Sequence, residues 1–198
     1  MGLKLEYLDG QTPIGEDEKE GLKIKTISTK RDLDEFEQHN IEEAVHWIIG
    51  KKLAAQEIFS EQFICQLHKK MFGHVWDWAG KFRQTNKNIG IDKSQVSVAL
   101  RQLCDDALYW IENQIFNPDE IAIRVKHRIV CIHCFPNGNG RHSRLLADII
   151  IQKVFGGEVF SWGATNLYHA DDSRTQYIAA MRLADKGDFG PLMAFSRG

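Results

Sequence analysis

The sequence has no long hydrophobic run, and its first residues lack the apolar core that is typical of a secretory signal. Met1 to Gly10 alternates charged and apolar residues, and no later stretch approaches the roughly 20 apolar residues of a membrane span. These observations predict a cytoplasmic protein that does not interact with a membrane. The four cysteines, Cys65, Cys104, Cys131 and Cys134, lack the regular spacing of a disulfide framework, which indicates reduced thiols.

An excess of one charge is also missing, because 25 Lys and Arg residues stand against 27 Asp and Glu residues. A formal net charge of −2 gives no general attraction to nucleic acid, and the basic residues are scattered along the chain. We therefore expect no nucleic-acid partner, and any phosphate site must be local. The chain of 198 residues shows no internal repeat, and 43% of its residues are hydrophobic, which predicts one sizeable soluble domain.

The sequence is rich in helical periodicity. Thr29 to Asp32 has the form of a capping box, and apolar residues then recur at helical spacing as far as Gly50. Other stretches share this periodicity and predict a mostly α fold. These stretches are one that begins after Ser60, Val96 to Ile115, Ile121 to about Ile132, one that begins near Gly140, Asp171 to about Asp185, and one that follows Pro191.

Two parts of the chain depart from this pattern. Residues 81–92 contain Asn-Lys-Asn and a glycine between short β-capable pieces, which predicts a small hairpin or flap. Residues 1–30 are polar and weakly periodic. They predict an N-terminal arm, regulatory in character, ahead of a catalytic domain that covers residues 31–198.

Residues 133–144 read His-Cys-Phe-Pro-Asn-Gly-Asn-Gly-Arg-His-Ser-Arg and join the end of one predicted helix to the start of the next. Gly138 and Gly140 allow the backbone to approach a ligand, and the new helix points unpaired N–H groups outward, which favours phosphate. Arg141 and Arg144 share a helix face and extend this cradle. His133, on the opposite rim, is suited to act as a general base. The segment predicts phosphate-transfer chemistry.

This segment resembles the signature of the Fic family, His-x-Phe-x-(Asp/Glu)-Gly-Asn-Gly-Arg-x-x-Arg, at every position but one. Leu67-His68, Trp78-Ala79-Gly80-x-Phe82-Arg83 and Gly187-Asp188-Phe189 also look like family features, in the usual order. The resemblance implies an all-α, compact Fic-type helical bundle with a short β-hairpin flap. It also implies a protein adenylyltransferase, which transfers AMP from ATP with Mg²⁺ to a Ser, Thr or Tyr hydroxyl of a target protein or of itself.

The resemblance further implies a role for each matching residue. His133 would deprotonate the target hydroxyl. Asn137 stands where the family usually has an acidic Mg²⁺ ligand, and its amide still offers an oxygen but not the negative charge of a carboxylate. The implied nucleotide-binding residues are Asn137, Gly138, Asn139, Gly140, Arg141 and Arg144. The implied target-binding flap, which would pair with the target's main chain, comprises Arg83, Gln84, Thr85, Asn86, Lys87, Asn88, Ile89, Gly90 and Ile91.

Many Fic proteins are held inactive by a glutamate that pairs with the second arginine of the motif, which here would be Arg144. Glu20, followed by Gly21, lies upstream of the core as in family members with an N-terminal inhibitory helix. Glu37 is the rival candidate. Each of these residues can also be read as a solvated acid.

Two other functions stay open. Cys131, His133, Cys134 and His142, with His127 nearby, offer soft ligands within a short window and would suit a metal site. Alternatively, the loop binds a nucleotide without turnover, or supports transfer of a phosphoryl or another nucleotide group. The neutral Asn137 is the feature that keeps this second alternative open.

Overall fold

The computed structural model of this chain describes residues 13–163 and 170–198. Residues 1–12 of the predicted arm lie outside this part. A 3-10 turn, Lys93–Gln95, leads into α5, and a π-helical turn, Ile150–Val154, continues α7. The α-helices of the described residues are α1 (Glu16–Lys19), α2 (Lys30–Ile49), α3 (Ala55–Ile58), α4 (Glu61–Phe72), α5 (Val96–Glu112), α6 (Pro118–Ile132), α7 (Asn139–Ile149), α8 (Ala170–Ala184) and α9 (Gly190–Arg197).

The predicted capping residues begin these helices. The Thr29 hydroxyl accepts a hydrogen bond from the Asp32 N–H at 3.1 Å, and the Asp32 carboxylate accepts one from the Thr29 N–H at 3.2 Å, which completes the capping box of α2. The side-chain oxygen of Asn117 caps α6 by accepting from the Glu120 N–H at 2.9 Å, with a proline as the first helical residue. The sequence predictions for both helix starts are confirmed.

Helix α6 runs through the middle of the fold. It packs against α5 on one side and α7 on the other, while α4 packs against α2 and α7. Its inward face is fully buried at Ala122, Ile123, Val125 and Ile129, and burying a side chain the size of Ile129 stabilises the fold by roughly 1.5–3 kcal/mol. Because α6 and α7 are held by the core, the loop between them is held as well.

The mostly α fold is confirmed, but the predicted β-hairpin is wrong. Between residues 81 and 92 the described chain forms turns and bends, with no strand. The guanidinium of Arg83 donates hydrogen bonds to the carbonyl oxygens of Thr85, at 2.9 Å, and of Ile91. Both carbonyl oxygens therefore accept from one buried side chain and not from the backbone N–H groups of a neighbouring strand. Among the described residues, none of the helices combines the length and the hydropathy needed to cross a membrane.

The described part of the arm lies against the domain. Ile14 and Leu22 are buried in the core, and the Trp78 indole N–H donates to the carbonyl oxygen of Glu18 at 3.0 Å. The carboxylate of Glu18 forms an ion pair with Lys87, in which both side chains are largely buried. The arm therefore contacts residues 83–91, while the division of the chain at residue 30 stays a prediction.

Candidate active site

Helix α6 ends at His133, where the chain turns sharply. The backbone of His133 is left-handed, with φ 58° and ψ 61°, a conformation that costs a residue with a Cβ roughly 1–2 kcal/mol. Two neighbours hold it in place. The Arg83 guanidinium donates to the His133 carbonyl at 2.6 Å, and Gly90 packs so closely that a Cβ added there would lie 2.6 Å from the His133 Cβ.

Asn139, the first residue of α7, holds the loop between His133 and α7 in place. Its side-chain oxygen accepts from the Phe135 N–H at 3.0 Å, and its amide nitrogen donates to the Phe135 carbonyl at 2.8 Å. Gly138 has φ 78°, and a Cβ there would lie 2.7 Å from the Phe72 ring. The side chain of Asn139 is therefore committed to the loop, and only its backbone remains for a phosphate.

A buried histidine supports the loop from beneath. The His68 Nδ1 accepts from the Gly80 N–H at 3.0 Å, so Nε2 carries the proton and donates to the Asn137 carbonyl at 3.0 Å. Its ring stacks on Phe135 with centroids 3.8 Å apart. Burial, and then the nearby His142, hold the pKa of His68 well below its usual value. The family resemblance includes His68, but its supporting role comes only from these long-range contacts.

A cavity of about 500 Å³ lies in front of the loop. His133, residues 137–141 and Arg144 line one side, so the structure brings the predicted catalytic and nucleotide-binding residues together. Residues of α2 between 30 and 38 line the facing side, with Ile14 and Ile89 at the edge. Arg174, Tyr177 and Ile178 of α8 complete the wall. These α8 residues carry no local motif, and sequence reasoning missed them.

His133 is a neutral, buried imidazole in the wall of the cavity. It is 4% exposed, and within the described residues neither of its ring nitrogens has a hydrogen-bond partner. Burial, followed by the charges of Arg83 and Lys87, lowers its pKa to about 4. The imidazole is therefore neutral at physiological pH, with a free lone pair in the wall of the cavity.

The two arginines of the motif have different surroundings. The Arg141 guanidinium lies 2.7 Å from one carboxylate oxygen of Glu37, and the other oxygen accepts from the Trp76 indole N–H at 2.6 Å. Glu37 is 3% exposed. Arg144, by contrast, has no carboxylate at ion-pair distance among the residues described, and it lies 6.0 Å from the ring centroid of Tyr177.

The position of the candidate inhibitory residues differs from what the resemblance implied. The acid that meets a motif arginine is Glu37, and its partner is Arg141 instead of Arg144. Glu20 is exposed at the end of α1 and does not line the cavity. The reason is packing, because α2 lies along the face of the loop and brings Glu37 there.

The site offers a divalent cation few ligands. The side-chain oxygen of Asn137 accepts from the Gly138 N–H at 2.7 Å. The carboxylates that line the cavity are Asp34 and Glu37, and Glu37 is already paired with Arg141. Mg²⁺ is usually bound through one or two carboxylates together with substrate phosphates. These residues alone therefore do not fit a Mg²⁺ site, and phosphates would have to supply the charge.

The flap residues are not equivalent. Arg83 is 2% exposed and its guanidinium is directed to backbone carbonyls, so it braces residues 83–91 and is not available to bind a target. Lys87 is occupied by Glu18. Gln84, Asn88 and most of the other residues of this segment are exposed.

The metal site predicted from Cys131, His133, Cys134 and His142 does not come together as a group. Within the described residues, the one group of side chains that could hold a metal ion consists of His127, Cys131 and Asp185.

Comparison with known proteins gives a consistent family. A model of the Fic/DOC family matches residues 58–151. The protein adenylyltransferase Fic of Drosophila grimshawi is 29% identical over 136 residues, which cover 67% of this chain and 26% of that protein. Its counterpart in Nematostella vectensis is 24% identical over 173 residues, which cover 85% of this chain and 39% of that protein. The chain thus spans about a quarter to two fifths of these curated relatives.

Solved structures show the same fold. Fic-1 from C. elegans superposes with a TM-score of 0.67 at 22% identity, covering 90% of this chain and 51% of that one. BepC from Bartonella tribocorum, solved with bound AMPPNP, gives a TM-score of 0.65 at 18% identity and covers 92% and 97% of the two chains. The helical architecture around the loop is therefore one that Fic proteins share.

Proposed function

Since residues 58–151 of this chain form a Fic/DOC domain, we propose that the protein is an adenylyltransferase that moves AMP from ATP to a Ser, Thr or Tyr hydroxyl of a target protein. One observation carries the proposal. The neutral imidazole of His133, which no described residue hydrogen-bonds, lies in the same cavity as the glycine-rich loop and Arg144. The names of the curated relatives and the AMPPNP bound to BepC support ATP as the donor. A cytoplasmic location stays a prediction.

The chemistry follows from this arrangement. A ring nitrogen of His133 takes the proton of the target hydroxyl while the hydroxyl oxygen attacks the α-phosphorus of ATP. The bond to the bridging oxygen breaks, pyrophosphate leaves, and AMP stays on the target. The backbone N–H groups of residues 139 and 140, at the start of α7, and the guanidinium of Arg144 stabilise the charge on the phosphates. The low pKa of His133 keeps the base unprotonated before the hydroxyl arrives.

Glu37 is the inhibitory residue in this proposal. Arg141 would lie near the β-phosphate of ATP by the family resemblance, and Glu37 already occupies its guanidinium. A buried carboxylate in that position repels phosphate and removes one of the two cationic ligands. Release therefore requires Glu37 to leave Arg141. Glu20 has no contact of this kind and takes no part.

The Mg²⁺ ion that the family resemblance implies would find few protein ligands at this site. Mg²⁺ would neutralise phosphate charge when bound with ATP, but Asn137 offers it only a neutral oxygen, which already accepts from the Gly138 N–H. Within the protein itself, His133 supplies the base, and the loop backbone and the arginines supply the phosphate contacts. Residues 84–91, apart from the occupied Lys87, form the surface for the target.

The deciding experiment uses ATP labelled with radioactive phosphorus at either the α- or the γ-phosphate. The protein is incubated with each donor, Mg²⁺ and cell lysate, beside His133→Ala and Glu37→Gln. Label from the α-position alone, lost in His133→Ala, is the expected result. Glu37→Gln keeps an oxygen for Trp76 but removes the charge, so it should increase labelling at least tenfold. Glu20→Gln serves as the matched control and should have no effect.

The alternative function is nucleotide binding without transfer, and Asn137 is the observation that favours it. In that case ATP binds, measured by calorimetry, but neither donor labels any protein even in the Glu37→Gln variant. Label from the γ-position would instead indicate phosphoryl transfer. Either of these outcomes would overturn the adenylyltransferase proposal.

A further inference from the structure

A second group of chemically reactive side chains lies outside the cavity. His127 and Cys131 are four residues apart on α6 and therefore share one helix face. Asp185, the residue after α8, reaches the same point, and its carboxylate oxygen lies 2.8 Å from the His127 Nε2. The Cys131 sulfur lies 3.6 Å from that nitrogen and 3.8 Å from the oxygen. Neither the Fic motif nor the proposed mechanism uses these residues.

The spacing of the three ligand atoms is close to one face of a zinc tetrahedron. With Zn–S near 2.3 Å and Zn–N or Zn–O near 2.1 Å, the edges that involve sulfur are about 3.6 Å and the nitrogen–oxygen edge is about 3.4 Å. The sulfur–nitrogen distance already fits, and the sulfur–oxygen distance is longer by about 0.2 Å. The sulfur also lies 3.9 Å from the His127 Nδ1, so the imidazole must turn to direct Nε2 at the ion. The nitrogen–oxygen distance must open by about 0.6 Å, since a metal ion would replace the proton now shared there. The side chain of Asp185 is 56% exposed and can make this movement.

The surroundings favour a site that leaves one coordination position to water over a site with four protein ligands. Cys131 and Asp185 are both exposed, so water can reach the fourth position, whereas the His127 ring is largely buried against Phe189. Lys126, Arg124 and Arg128 lie close enough to act electrostatically on this group. Their positive charge weakens binding of a cation. Zinc is favoured among divalent cations, because a thiolate and an imidazole are ligands that Mg²⁺ and Ca²⁺ seldom use.

We propose that His127, Cys131 and Asp185 form a zinc-binding site whose fourth ligand is water. The ion would tie the last turn of α6, two residues before His133, to the end of α8, whose residue Tyr177 lines the cavity. The metal would thus join the helix that leads to His133 to the helix that carries Tyr177.

Cobalt(II) is the probe that tests this proposal, because a thiolate bound to it gives an intense near-ultraviolet charge-transfer band. The purified, chelator-treated full chain is titrated with Co²⁺ in the absence of nucleotide. One equivalent should produce the band, and Zn²⁺ should abolish it by displacement. Cys131→Ser should eliminate the band, and Asp185→Asn should weaken Co²⁺ binding at least tenfold. Cys65→Ser, which changes another incompletely buried thiol, should keep it.

Thermal unfolding gives an independent measurement. A hundredfold excess of Zn²⁺ over its dissociation constant should raise the melting temperature by roughly 5–10 °C, and Cys131→Ser should lose this increase. Absence of the cobalt band, or a band or a stabilisation that persists in Cys131→Ser, would refute the site. His133→Ala should retain the band, so failure of the zinc site and failure of the adenylyltransferase proposal remain distinguishable.

Discussion

The low pKa of His133 predicts a specific loss of stability in acid, which His133→Ala should remove. Burial, then Arg83 and Lys87, lower this pKa from 6.5 to about 4. Between these two values the unfolded chain binds a proton at this position and the folded chain does not. The contribution of His133 is therefore fully present above pH 6.5 and is lost as the pH falls towards 4.

The magnitude follows from the two pKa values. At about pH 5 the unfolded imidazole is almost fully protonated and the folded one is about one-tenth protonated, which lowers the free energy of unfolding by about 2 kcal/mol relative to about pH 7.5. The packing that His133→Ala removes is the same at both pH values and cancels in the comparison. The variant should therefore lose about 2 kcal/mol less than the natural protein on acidification.

Urea unfolding at both pH values measures this difference, and for a chain of this length it corresponds to about 4–8 °C in melting temperature. His46→Ala is the control, because His46 is exposed on α2. If His133→Ala and the natural protein lost the same free energy on acidification, the imidazole would not be held neutral by its surroundings. The account of His133 as a prepared base would then fail.

Other substitutions test the loop and its supports. Gly138→Ala should destabilise by about 1–3 kcal/mol in urea unfolding, because of its positive φ and the contact with Phe72, whereas Gly140→Ala meets no atom within 4 Å and should preserve stability. Gly140→Ala should still weaken ATP binding in calorimetry, since Gly140 lines the cavity and the added methyl group would enter the space proposed for the phosphates. Arg83→Met should lower the free energy of unfolding by about 3 kcal/mol, because buried carbonyls lose their donors. Asn137→Asp should lower the Mg²⁺ concentration that gives half-maximal labelling, by about tenfold.

Local patterns were sufficient for most of the helices. Thr29 and Asn117 cap their helices through contacts within three residues, so the sequence contains all the information that each start requires. Residues 81–92 show the limit of this reasoning. Their β-capable pieces suggested a hairpin, but a distant contact decides the conformation, because Arg83 also bonds the His133 carbonyl, fifty residues away.

The sequence by itself predicted that the loop is a phosphate site, since His133, Gly138 and Arg144 lie within one segment, residues 133–144. Only the tertiary structure decided which groups face them. It placed Glu37 on Arg141, left the His133 ring without a partner in the described part of the chain, and brought Asp185 to His127. These partners lie far apart along the chain, and their meeting depends on how whole helices pack, which no local pattern of residues specifies.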